Sequence, residues 1–150
     1  MHTVFKGSVS QNNFTTEAQR KEGKMSQLEQ QDPLTFKIIG AAIEVHRILG
    51  PGLLEGVYED ALCIELEERK IVFERQKPIE IKYKGRNIGN LVTDLIVENR
   101  VIVELKSVET LLPVHETQLL TYLKLTSLNV GHLINFNVPV LRDGVKRRVL

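Results

Sequence analysis

Ile38, Ile39, Ala42, Val45, Ile48 and Leu49 recur at the three-and-four spacing of a helix with one buried face, which predicts a helix over residues 33–49. Asp32-Pro33 opens it with a capping carboxylate and a proline at the first helical position. The glycines of Gly50-Pro51-Gly52 end it. A second helix is expected from about 54 to 69, with Tyr58, Leu62 and Leu66 along one stripe. The pattern then changes period. "IVFERQ" leads into "PIEIKY", where Ile79, Ile81 and Tyr83 alternate with Glu80 and Lys82 as in a half-buried strand. "KGR" at 84–86 is a turn. Strands are expected at about 88–97 and at 101–106, joined by "ENR". A helix over 114–127 follows Pro113, then the apolar strand "VGHLINF", then "VLRDGVKRRVL" as a hairpin turning at Asp143-Gly144. That order predicts a mixed α/β domain, one central sheet with helices packed on it.

Composition narrows the class. The chain has 150 residues, 42% hydrophobic and 26% charged, as in ordinary globular proteins. No apolar run reaches the roughly 18 residues that cross a bilayer, and the amino terminus has no apolar signal core, so neither a membrane nor export is expected. Cys63 is the single cysteine, which excludes an internal disulfide and a cysteine-rich metal site; it reads as a small core residue, and a cytoplasmic location fits best. Residues 1–31 are polar and aperiodic, a disordered or loosely attached tail ahead of a single domain over 32–150. Met25 is a plausible alternative start. The net charge is +1, so nucleic-acid binding would need a local patch. The tail "RDGVKRRVL" is one candidate patch, and a solvated final hairpin explains it equally well.

Candidate chemistry centres on "VTDLIVENRVIVELK", residues 92–106. Glu104 and Lys106 point to one face of their strand. If residues 98–100 form a three-residue loop, Asp94 lies opposite Glu104, with β-carbons about 4.5–5.5 Å apart. A register slip of one residue would separate them. Two acids that close repel, and a divalent cation with oxygen ligands relieves the cost. Such an ion can activate water and neutralise charge on a phosphoryl oxygen, with Lys106 orienting the water. A salt bridge from Lys106 to either acid, on a solvated face, explains the same spacing.

In "PVHETQLLTYLKL", His115, Gln118 and Tyr122 share a helix face. That face either grips phosphate and positions Lys106, or is simply exposed with Tyr122 packed at its edge. Glu55, Tyr58 and Glu59 share another, where Glu55 is a third carboxylate or an acid favoured by the helix dipole. His46 reads as a locally bonded helix histidine, His132 as a core or edge residue, and His115 as either a site residue or a helix-start cap.

Gly52, Glu55 and Tyr58, within "AAIEVHRILGPGLLEGVYEDAL", resemble the signature of the GxxExxY protein family. The likeness runs on through "VIVELKSVE", "PVHETQLLTYLKL" and "GHLINFNVP", over about residues 33–150. That family resembles a branch of the PD-(D/E)XK nuclease superfamily, nearest the RecB-type nucleases. The resemblance implies an αβββαβ core with a Mg²⁺ site. It places the motif aspartate on Asp94, the E-x-K on Glu104 and Lys106, the Q-x-x-x-Y on Gln118 and Tyr122, and the first-helix acid on Glu55. Thr93 stands where the superfamily's name has proline. The cysteines that hold an iron–sulfur cluster in some relatives are lacking, so no cluster is expected.

The expectation is therefore a Mg²⁺- or Mn²⁺-dependent phosphodiesterase acting on DNA. Asp94, Glu104 and the Leu105 carbonyl would hold the metal, and a protein partner or homodimer would help to bind substrate. The alternative is a non-catalytic nucleic-acid or protein binding module on the same frame.

Overall fold

The computed structural model describes residues 32–150. The tail expected over 1–31 and the start at Met25 lie outside the described residues. Residues Ile38–Leu150 form one compact unit, and the opening turn of the first helix, up to Lys37, belongs to the other.

Helix α1 spans Pro33–Leu49. The Asp32 carboxylate caps it, accepting the Leu34 N–H at 3.1 Å and the Thr35 hydroxyl at 2.8 Å. Ile38, Ile39, Ala42 and Val45 are buried as the periodicity requires, but Ile48 and Leu49 are 61% and 37% exposed. The last turn thus extends past its packing partners, and the buried face is shorter than expected. Gly50, at φ 72°, and Gly52, at φ 93°, take the left-handed conformation that stops the helix. Helix α2, Glu55–Glu68, buries Tyr58, Leu62, Cys63 and Leu66 along one stripe.

Strands β1 (Phe73–Tyr83), β2 (Arg86–Val97), β3 (Val101–Lys106), β4 (Val130–Asn135) and β5 (Val145–Val149) lie side by side in chain order. Every neighbouring pair is antiparallel except β3–β4. A parallel pair needs a crossover of a dozen residues or more. Helix α3, Pro113–Thr126, is that crossover. It packs Leu119 and Leu123 on Ile96, Ile102 and Leu133. The approach is close: a β-carbon at Gly131 would lie 2.7 Å from Leu119 Cδ1. A five-stranded mixed sheet flanked by helices is the architecture the sequence predicts.

The carboxy-terminal hairpin is a correction. Leu141–Gly144 form a 3-10 turn, and β5 pairs with β4 instead of with residues just before it. Gly144 sits so close to the end of β4 that a β-carbon there would meet the Asn135 carbonyl oxygen at 2.2 Å. The chain folds back onto β4 at that point, and pairing with that buried strand outweighs the local Asp-Gly turn signal.

Candidate active site

The β2–β3 ladder pairs Val97 with Val101, Ile96 with Ile102 and Leu95 with Val103, the register that a three-residue loop over 98–100 sets. Glu98 and Asn99 adopt φ of 53° and 54°, and the Arg100 N–H closes on the Val97 carbonyl at 3.0 Å. The ladder stops one step short of Asp94 and Glu104, where the strands part. On its other side, the β1–β2 ladder pairs Arg75 with Leu95 and Lys77 with Thr93 but skips Gln76 and Asp94. The Asp94 backbone is therefore released from both neighbours. The Asp94 N–H donates to Glu104 Oε1 at 3.0 Å, and the Leu105 N–H donates to Asp94 Oδ2 at 2.8 Å. Each acid thus holds the other's strand, and together they span the fork.

Burial of two acids this close shifts both. Glu104 is pushed up to about 8, first by burial and then by the Asp94 charge, against the Asp94 N–H and Lys106. Asp94 is also raised, chiefly by burial and also by Glu59, while the Leu105 N–H and Gln76 pull it down. Glu55, at the first turn of α2, is raised by burial and by the charges of Asp94 and Glu59, with Lys106 opposing. Tyr122 is raised by burial, then by Glu104 and Asp94. Glu55, Lys106 and Tyr122 thus lie within electrostatic reach of Asp94 or Glu104. Tyr122 also packs on the Ile96–Leu119 cluster. Gln118 is exposed on α3, and no hydrogen bond among the described residues carries it to the acids.

Lys106 ends β3 on a rigid frame. Its carbonyl accepts the Phe136 N–H at 2.9 Å, Ser107 Oγ donates to the Leu53 carbonyl at 2.5 Å, and Asn135 bonds both backbone groups of Val108. Tyr58 fixes the loop before Glu55. Its hydroxyl donates to the Gly50 carbonyl at 2.6 Å and accepts the Leu53 N–H at 3.1 Å, while its ring stacks on Phe136 at 4.5 Å. The described histidines serve the scaffold. His115 Nδ1 accepts the Leu112 N–H at 3.1 Å as a helix-start cap, and His132 is buried in β4; His46 corrects the expectation of a local bond, because its Nε2 bonds the distant Val138 carbonyl at 2.8 Å.

Sequence reasoning missed the support behind Asp94. Gln76 Nε2 donates to Glu59 Oε1 at 2.8 Å and to Asp94 Oδ1 at 3.3 Å. Arg75 neutralises the buried Glu59 with a 2.8 Å bond and also pairs with Asp60. Gln76 holds φ at 51°, a conformation costly for a side-chain-bearing residue within a strand. Glu59 lies one helical turn after Glu55, and that spacing was the sole signal available for it. Nothing local marks Gln76.

A family model for the PD-(D/E)XK nuclease superfamily matches residues 32–148. The chain belongs to that superfamily. No curated protein and no solved structure matches it. Members of the superfamily generally use divalent metals such as Mg²⁺. Among the described residues no three or more His, Cys, Asp or Glu side chains converge on a common metal point. The fork itself offers only oxygen donors, the two repelling carboxylates of Asp94 and Glu104. That set fits a hard cation that keeps several waters. No described helix is long and apolar enough to cross a membrane.

Proposed function

We propose that residues 32–150 act as one domain that hydrolyses phosphodiester bonds of DNA, with Asp94, Glu104 and the Leu105 carbonyl holding Mg²⁺ or Mn²⁺. The observation carrying this reading is the fork, where two acids lock each other's backbone and burial and mutual repulsion push Glu104 to about 8. When bound, the cation supplies charge neutralisation at a phosphoryl oxygen and acidifies a coordinated water. Lys106 orients that water and offsets charge that develops on the phosphate. Glu55 offers a further carboxylate to water or a second cation. Tyr122 and Gln118 support Lys106 and the phosphate, Gln118 after a side-chain swing from its exposed position.

Gly52, Glu55 and Tyr58 favour the GxxExxY branch and a RecB-like ancestry. Cys63, buried and the sole cysteine, favours a reducing cytoplasm, and no iron–sulfur cluster enters the reading. A protein partner or a second copy would extend the substrate surface.

The test uses the purified full chain on plasmid and linear DNA with Mg²⁺ or Mn²⁺. Metal-dependent cleavage is expected, and Lys106→Ala should abolish it. Cleavage surviving that change would refute the assignment of Lys106. Titration of Mn²⁺ by calorimetry, with Asp94→Asn as control, separates the enzyme from a silent binding module: absence of binding at millimolar metal would favour the module.

A further inference from the structure

Beyond the fork, β1 and β2 continue without a third strand. The β2–β3 ladder ends at Leu95, while β1 and β2 remain paired out to Tyr83 and Arg86. Residues 77–92 therefore stand as a two-stranded ribbon. Its root is anchored, since Ile79 packs against the Ile96–Leu119 cluster and Leu91 is buried. Its tip is a two-residue turn at Lys84 and Gly85, both at positive φ (50° and 79°), the geometry that matches strand twist. The tip is exposed, with Tyr83 and Ile88 more than 60% accessible.

Charge singles this ribbon out. It carries Lys77, Lys82, Lys84 and Arg86 against Glu80 alone, a net +3, whereas the other described residues hold twelve basic side chains against fifteen acidic ones. Lys77 pairs with Glu74, Lys82 lies 3.9 Å from Glu80, and Lys84 sits over the Tyr83 ring at 5.6 Å. Lys82, Lys84 and Arg86 cluster within five residues with no acid among them.

We infer that this ribbon is a binding arm for double-stranded DNA, holding the duplex on one side of the fork. The inference rests on the nuclease reading and names the substrate surface for that site. Eight residue steps along β2 separate Asp94 from Arg86, about 26 Å at strand rise, or about eight base-pair steps. A phosphate seated at the fork thus brings the same duplex past the tip cations. A two-stranded ribbon is also narrow enough to enter the major groove. The cations neutralise phosphates, and Tyr83 and Ile88 add apolar contact beside them.

The experiment compares the full chain with Lys82→Ala/Lys84→Ala/Arg86→Ala, by anisotropy of a labelled duplex of about 30 base pairs in EDTA, across a salt series. Loss of three phosphate contacts should weaken binding on the order of 10²-fold at 100 mM salt and reduce the log–log salt slope by about 2.7. Lys82→Arg/Lys84→Arg should keep both values. Equal affinity and slope in the alanine variant would overturn the arm, even in a chain that cleaves DNA. So would a wild type that binds no duplex, which would leave the ribbon for a protein partner. Metal-dependent cleavage by the wild type, measured in parallel, reports on the nuclease reading separately.

Discussion

Glu104→Gln removes a charge that the fold holds at a cost when no metal is present. The folded carboxyl titrates near 8, against an unfolded value near 4.5. A raised value favours the protonated form, so its contribution to stability is complete below about pH 4.5 and is lost as pH rises through about 8. A shift of that size corresponds to about 4–5 kcal/mol over the whole window. The part titrated between pH 5 and pH 8 is about 3 kcal/mol. Glutamine carries no charge yet keeps an oxygen for the Asp94 N–H. In EDTA the variant should therefore match the wild type at pH 5 and exceed it at pH 8 by about 6 °C in Tm. Melting curves followed by circular dichroism measure both. Mg²⁺ at pH 8 should then raise the Tm of the wild type and leave the variant unmoved. A variant that is less stable than wild type by the same amount at both pH values would refute the reasoning, because Glu104 would then be ionised without penalty.

Two further variants probe the scaffold. Tyr58→Phe keeps the stack on Phe136 but deletes the hydroxyl that joins Gly50 to Leu53. It should cost about 1–3 kcal/mol, read as a lower urea midpoint with unchanged slope. Gln76→Gly relieves the left-handed backbone and removes the amide between Glu59 and Asp94. Stability should stay within about 1 kcal/mol of wild type. Calorimetry should show weaker Mn²⁺ binding, and binding equal to wild type would exclude a positioning role.

The sequence carried the fork because its determinants are local. Strand alternation and a three-residue loop suffice to put Asp94 opposite Glu104, and the register held over every ladder pair up to Leu95. Strand period puts Lys106 on the same face as Glu104, and Tyr122 packs at the edge of the Ile96–Leu119 cluster. What was not legible depends on distant partners. Gln76 takes its strained φ where both ladders lapse, and its amide has an anchor only because α2 brings Glu59 across from residues 55–68. Asp143-Gly144 reads locally as a hairpin turn, yet long-range pairing of β5 with β4 decides its conformation. Ile48 and Leu49 obey helical period, but period alone cannot tell where the opposing surface ends.

The spacing of Gly52, Glu55 and Tyr58 has a physical explanation in this frame. Gly52 supplies a left-handed residue that turns the chain from α1 into α2. Tyr58, one turn into α2, reaches back to tie both sides of that turn, at Gly50 and Leu53. Ser107 adds a bond from the end of β3 to the Leu53 carbonyl, so the same loop is fastened to the strand that carries Glu104 and Lys106. Between these ties stands Glu55, whose carboxyl feels Lys106 and Asp94. Two of these three residues thus act on the backbone, and the third is the side chain they place. Loosening the turn should therefore impair the fork without touching any acid, which is why Tyr58 merits kinetic as well as thermodynamic measurement.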